Sequence, residues 1–155
     1  MSLRRRTLAA LTLVVSLVAA DHAHAIDGPL LLFGGPNHDE FLGCLNCYRS
    51  EPFSVWNANG EYGDPGNENS IWNQAGPYGS RRSPLSPWNP RSSKPPLVVD
   101  RVGNLYGYFT LNRSYPMRIR RNDSHPYWAD FQLLVRLLDE YEWIVTHLDE
   151  ERAKY

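Results

Sequence analysis

A repeat with a period of 16 residues constrains the fold more than any other feature of this sequence. The pattern Ser-x-Trp-Asn begins at Ser54, again at Ser70 and a third time at Ser86. A Gly-x-Tyr-Gly pattern follows the first two copies, at 60–63 and 76–79, and is missing after the third. A unit this short does not bury an apolar face alone, so the repeat predicts an array in which each unit packs on its neighbour.

The residue types within each unit favour turns over a long helix or strand. Serine caps a single helical turn, and Asn and Gly adopt the backbone conformations of turns. The aromatic residues either anchor a loop-rich region by packing on the Tyr or Pro of a neighbouring unit, or form an exposed row that stacks on sugar rings or bases. The second interpretation makes five residues candidates for binding: Trp56, Trp72, Trp88, Tyr62 and Tyr78.

Charge is segmented along the chain, although the net charge is only −1. Residues 26–75 carry seven acidic residues and one Arg, 76–121 carry nine basic residues and one acidic residue, and 122–155 carry eight acidic and three basic residues. The basic segment, which includes the candidate binding residues Arg81 and Arg82, either binds an anionic polymer or is neutralised by its acidic flanks. The near-neutral total argues against a strong phosphate-binding surface, and therefore against nucleic acid, and it favours neutralisation by the flanks. If the segment does bind a polymer, the candidate partner is a cell-envelope polysaccharide or another anionic polymer.

The segments around the repeat predict a small antiparallel sheet and one C-terminal helix, and thus an α+β fold. Residues 29–33 form a short apolar run, 97–111 have the pattern of a β-hairpin with a Gly-Asn turn, and 117–120 alternate apolar and basic residues. Strands are therefore expected within 97–120. Beyond Ser124, apolar residues recur every three or four positions, which predicts an amphipathic helix within 124–151.

The first 25 residues have the pattern of a secretory signal peptide. Arg4, Arg5 and Arg6 precede an apolar stretch of 14 residues at 7–20, and Ala23-His24-Ala25 fits the cleavage rule. The alternative is a membrane anchor, but a helix needs about 20 apolar residues to span a bilayer. We therefore expect a signal peptide at 1–25, a single mature domain at 26–155 with its repeat region at 44–96, and a periplasmic or secreted location.

The two cysteines, Cys44 and Cys47, are predicted to form a disulfide after export. They fall 16 residues before the glycines of the first Gly-x-Tyr-Gly pattern, as a degenerate copy of the repeat would. The alternatives are a metal site with His38, Asp39 and Glu40, a redox pair, or free thiols. A metal site would need two ligands besides the cysteines, and His38, Asp39 and Glu40 are the candidates close in sequence. A redox pair would need a helix that begins at the first cysteine.

No catalytic motif is present, so no residue is assigned a catalytic role and no cofactor or metal is expected. The sequence lacks a phosphate-binding loop, a dinucleotide fingerprint and a nucleophile elbow. A cysteine nucleophile with His125 or His147 is possible by residue type alone, which is a weak signal.

Several short runs resemble a group of small exported bacterial proteins. These runs are Phe-Gly-Gly at 33–35, Phe-Leu-Gly-Cys-Leu-Asn-Cys at 41–47, the repeat units themselves, Pro-Pro at 95–96, and Gly-Asn-Leu-Tyr-Gly-Tyr-Phe-Thr at 103–110. The resemblance covers about half of the chain. It implies a bacterial origin and export, and it brings no catalytic residue with it.

These observations favour an exported, non-enzymatic protein whose repeat-bearing face binds a cell-envelope or extracellular polymer. The alternative is a small envelope hydrolase or thiol enzyme that uses a carboxylate or the cysteine pair. A third hypothesis is purely structural, with the repeat serving only as packing.

Overall fold

The computed structural model of the protein describes residues 28–155. The expected signal peptide at 1–25 and the cleavage site before Ile26 lie outside the described residues. Within the described part of the chain, no helix has both the length and the apolar character needed to cross a membrane.

The fold is α+β, as predicted, and its sheet has four antiparallel strands. They are β1 (Leu31–Gly34), β2 (Glu40–Cys44), β3 (Leu97–Val99) and β4 (Leu105–Tyr108), and their order across the sheet is β2-β1-β3-β4. Strand β1 matches the apolar run at 29–33. Strand β2, which leads into the cysteine pair, was not predicted from the sequence.

The repeat region leaves the sheet at the end of β2 and returns to it at β3. Because β3 pairs with β1 in register, with Leu31 opposite Val99 and Leu32 opposite Val98, both ends of the repeat region are fixed in one sheet. Leu32 and Val98 are both buried and belong to the hydrophobic core. The sheet therefore holds together the two ends of the long segment between β2 and β3.

The β3–β4 hairpin is present, and Asp100 organises its turn. One carboxylate oxygen of Asp100 accepts hydrogen bonds from the backbone N–H groups of Val102 and Asn104. Gly103 adopts a φ of +87°, which glycine tolerates without strain. The strand expected at 117–120 is not formed, because Met117 adopts a positive φ of 53°. Arg118 makes an isolated β-bridge with Tyr108 instead.

The C-terminal segment contains three short helices where a single helix was predicted. They are α1 (Trp128–Asp139), α2 (Tyr141–Thr146) and α3 (Leu148–Arg152). The breaks fall at Glu140 and His147, whose φ and ψ angles depart from helical values. At the second break the Thr146 hydroxyl bonds back to the carbonyls of the preceding turn, an arrangement that bends helices.

The predicted amphipathic pattern is nevertheless real. Its apolar residues pack against the sheet and the repeat region, and six of them are buried: Phe131, Leu134, Leu137, Leu138, Tyr141 and Ile144.

Candidate functional site

The three repeat tryptophans are buried, with at most 3% of each residue exposed. Each has its backbone N–H bonded to the hydroxyl of the serine two residues earlier, and that serine is fully buried. Each indole N–H also donates to a backbone carbonyl of the preceding segment. The donor–acceptor pairs are Trp56 to Leu45 at 2.8 Å, Trp72 to Val55 at 2.6 Å and Trp88 to Ile71 at 2.5 Å.

The indole rings form one aromatic column through the core. The centroids of Trp56 and Trp72 are 5.2 Å apart, and those of Trp72 and Trp88 are 5.6 Å apart. Tyr155 stacks on the Trp56 end and Tyr141 on the Trp88 end, each at 4.3 Å. The tryptophans thus pack mainly on one another and not on the Tyr or Pro of a neighbouring unit, and the packing interpretation agrees with their burial.

The other two aromatic candidates also face inward. Tyr62 is half-buried, with its ring edge-on to Phe41 at 5.0 Å, and Tyr78 is 7% exposed. Burial raises the pKa of both phenols, with smaller contributions from nearby carboxylates. The burial of these five rings agrees with the packing interpretation of the repeat and gives no support to an exposed row of rings among the described residues.

After the third repeat unit, the segment that follows β4 takes the place that a fourth unit would occupy. The carbonyl of Pro87 occupies the position that Val55 and Ile71 hold in the earlier units. It accepts a hydrogen bond from the backbone N–H of Leu111 at 2.8 Å, in place of an indole. The ring of Phe109 meets Trp88 edge-on at 5.4 Å. The segment after β4 therefore terminates the array.

Cys44 and Cys47 form a disulfide, as predicted, and both are buried. In the described residues, no group of three or more His, Cys, Asp or Glu side chains is placed to hold a metal ion. The histidines considered as partners for a thiol pack elsewhere: His125 lies against Phe131, and His147 stacks on Trp143.

The arginine candidates lie on the surface and differ in their partners. Arg81 forms an ion pair with Glu142 and places its guanidinium 5.6 Å from the centre of the Tyr141 ring. Arg82 is exposed and has no carboxylate within 4.0 Å in the described part of the chain. Arg81 therefore ties the second repeat unit to α2.

A cavity of about 440 Å³ lies beside this ion pair, between the segment after β4 and the junction of α1 and α2. We call it the arginine cavity. Tyr141, which ends the aromatic column, forms part of its wall, so the repeat array positions the cavity. It is lined by Pro90, Leu111, Asn112, Arg113, Ser114, Arg118, Leu138, Asp139, Tyr141 and Glu142.

Arg118 is the half-buried cation of this cavity. Its Nε donates a hydrogen bond to the carbonyl of Thr110 at 2.9 Å, which fixes the side chain. The two outer guanidinium nitrogens are not used in this bond. Burial lowers the pKa of Arg118, and Arg113 and Arg120 lower it further, against the opposite effect of Asp139. Within residues 28–155, no carboxylate oxygen lies within 4.0 Å of this guanidinium.

The loop that carries these arginines is fixed on the third repeat unit. Asn112 donates from its side-chain amide to the Ser92 carbonyl at 2.9 Å, and its side-chain oxygen accepts from the backbone N–H of Ser114. Tyr115 reaches the Ser93 carbonyl at 3.3 Å. Arginine side chains carried into a recess by a fixed loop are suited to bind a single carboxylate or phosphate group.

Sequence reasoning marked the basic segment but not these residues within it. Arg118 and Arg120 were expected on one face of a strand, and Arg113 was not singled out. Arg113 and Arg118 line the same cavity because the chain turns at Met117. The alternation of apolar and basic residues at 117–120 predicted a strand there and not a turn. No protein-family model, curated protein or solved structure matches this chain.

Proposed function

We propose that this protein is an exported, non-enzymatic binding module for an anionic polymer of the cell envelope or its surroundings, in the periplasm or outside the cell. The arginine cavity is the binding site. It takes a carboxylate or phosphate group of the polymer, and the exposed basic residues around it contact neighbouring groups of the same chain.

The observation that carries the proposal is that Arg118 is half-buried in the cavity and has no carboxylate within 4.0 Å among the described residues. A half-buried cation that lacks a close carboxylate gains stability from an anion, and its outer nitrogens can bind two oxygens in parallel. Asp139 partly offsets this tendency, while Arg113 and Arg120 increase it, because each like charge makes the charged guanidinium less favourable without a counterion.

Two features favour a polysaccharide over nucleic acid. The cavity wall carries Asp139 and Glu142 as well as Arg113 and Arg118, so its formal charges balance and it is not suited to a long run of phosphates. The cavity also has room for a sugar-sized group beside Tyr141 and Leu111, which offer apolar surface.

The alternative of a thiol enzyme has no support in the geometry. Its nucleophile would be Cys44 or Cys47, and both sulfurs are engaged in the disulfide. A hydrolase that uses a carboxylate is separated from a binding module by the experiment below.

The test compares the double variant Arg113→Gln, Arg118→Gln with the control variant Arg49→Gln. Arg49 is exposed and has no carboxylate within 4.0 Å among the described residues, so the control removes a positive charge from another part of the surface. Binding is measured by calorimetry with polygalacturonate, which carries carboxylates, a teichoic acid, which carries phosphates, and neutral dextran.

We expect saturable binding of at least one anionic polymer, weakened about ten-fold or more in the double variant, since a hydrogen bond to a charged group contributes about 1.5–3 kcal/mol. The control is expected to bind like the wild type. Equal losses in both variants, or equal binding of dextran, would contradict the proposal. Shortening of the polymer during the incubation would point to a hydrolase.

A further inference from the structure

A second cavity lies between the β3–β4 hairpin and the start of α1. Its volume is about 220 Å³. Four aromatic rings line it and form a closed ring of neighbours, with centroids 5.0 to 6.2 Å apart: Tyr106, Tyr127, His125 and Phe131. We call it the aromatic cavity. Apart from His125, the side chains that line it carry no cationic group.

A buried carboxylate stands directly behind this cavity. Asp130 is 3% exposed, and its Oδ2 accepts a hydrogen bond from the Tyr106 hydroxyl at 2.7 Å. In the described part of the chain, no lysine or arginine pairs with Asp130. Asp100 adds a second carboxylate, since it lines an adjoining cavity together with Asp130, and Arg101 adds one positive charge to that lining. The two carboxylates outnumber Arg101, so the balance of formal charge beside the aromatic cavity is negative.

The surface around the aromatic cavity is unusually apolar for an exposed region. Leu105 is 49% exposed, Tyr127 38% and Trp128 44%, and all three lie in or beside the lining. Val102, at the tip of the hairpin, is 84% exposed. Apolar side chains left uncovered around a recess are typical of a binding site.

From this arrangement we propose that the aromatic cavity binds an organic ammonium group. The faces of aromatic rings attract cations, and a cation held among several rings beside a carboxylate combines that attraction with charge pairing. An anionic ligand would meet the field of Asp130 and Asp100, and a neutral apolar ligand would gain nothing from it. The ammonium belongs either to a quaternary headgroup or to the side-chain amine of a diamino acid.

Four small probes separate these chemistries in calorimetric titrations of the protein. Choline and tetramethylammonium carry a quaternary ammonium, and Nα-acetyl-lysine amide carries a primary one. The fourth, 3,3-dimethyl-1-butanol, has the shape of choline without its charge. We expect at least one ammonium probe to bind and the neutral alcohol to bind about ten-fold more weakly or not at all. The ranking of choline against the lysine derivative identifies the source of the ammonium.

Two variants locate the binding. Asp130→Asn keeps the size of the side chain and removes its charge, and we expect affinity to fall several-fold. Because Asp130 is buried and its substitution can impair folding, Tyr127→Leu is the second variant: it leaves an apolar side chain at the exposed rim and removes one ring. Tyr48→Leu is its control, since Tyr48 is 72% exposed elsewhere on the surface.

The expected result is weaker ammonium binding for Tyr127→Leu and unchanged binding for Tyr48→Leu. Equal affinity for choline and its neutral analogue, no saturable binding of any ammonium probe to the wild-type protein, or equal effects of the two tyrosine substitutions would each overturn the proposal.

Discussion

The indole N–H of Trp72 donates a hydrogen bond to the carbonyl of Val55, 17 residues earlier in the chain, over 2.6 Å. The same bond joins Trp88 to Ile71, and the carbonyl of Pro87 ends the series by accepting the N–H of Leu111. Each unit is thus held to the preceding one by a ring that fills space and by a polar atom that satisfies a buried carbonyl. Stability is therefore shared between neighbouring units.

We expect Trp72→Ala to lower the free energy of unfolding by about 3–5 kcal/mol, because it opens a large cavity in the centre of the column. Trp72→Phe keeps most of the ring but leaves the Val55 carbonyl without its donor, and we expect a loss of about 1–3 kcal/mol. Chemical denaturation of both variants measures these values. The control is Trp128→Ala, since residue 128 is 44% exposed, and we expect this change to lower the free energy of unfolding by no more than about 0.5 kcal/mol. Equal effects at the two positions would contradict the role of the column.

The last glycine of each repeat unit is required by close packing. A Cβ at Gly79 would lie 2.1 Å from the carbonyl oxygen of Asn73, and the same overlap occurs between Gly63 and Asn57. We expect Gly79→Ala to cost about 3 kcal/mol, at the upper end for overpacking, because the obstacle is backbone. Gly28→Ala is the control, since nothing lies within 4 Å of a Cβ there. Thermal unfolding of the two variants measures the difference, and a Gly79 variant as stable as the control would refute this explanation.

Glu151 is a buried carboxylate that contributes to stability in a pH-dependent way. Burial raises its pKa, but hydrogen bonds from Arg136 and Lys154 outweigh this effect, and the pKa is lowered overall from its usual value of 4.5. Because the folded-state pKa is the lower one, the stabilisation is fully present above the unfolded-state value and is lost as the pH falls through the folded-state value.

We therefore expect Glu151→Gln to cost about 3 kcal/mol at pH near 7, the low end for a broken buried pair, since its partners are partly exposed. The gap to the wild type should narrow as the pH falls below about 4. Glu150→Gln, an exposed change one residue earlier, serves as the control and should leave stability unchanged. Denaturation curves across this pH range test both statements. A gap that widens in acid would reverse the sign assigned here.

The disulfide is expected to contribute little to global stability. It closes a loop with a sequence separation of only 3, and the loss of chain entropy in so small a ring corresponds to about 2 kcal/mol. The double variant Cys44→Ser, Cys47→Ser should therefore fold, with a modestly lower free energy of unfolding. Labelling of the unfolded, non-reduced protein with a thiol reagent should detect no free thiol. Two labelled thiols would contradict the bond itself.

The sequence alone determined the elements whose signal is local. The period of 16 residues, the hairpin around Asp100, the disulfide and the apolar face of the C-terminal segment were all readable, because each depends on residues close together in the chain. The sequence left two opposite roles open for the repeat tryptophans, because the repeat spacing of aromatic residues is the same whether their rings face a ligand or the core.

Tertiary structure decided that choice and placed both cavities. The column needs Tyr141 and Tyr155 from the C-terminal segment to cover its ends, and these contacts span more than fifty residues of chain. The predicted single helix is divided at Glu140 and His147, and at the second break the hydrogen bonds of the Thr146 hydroxyl bend the chain. Arg113 and Arg118 meet only through the turn at Met117, and Asp130 meets Tyr106 only when α1 docks on the hairpin. Such contacts depend on packing between distant segments, which local residue patterns do not encode.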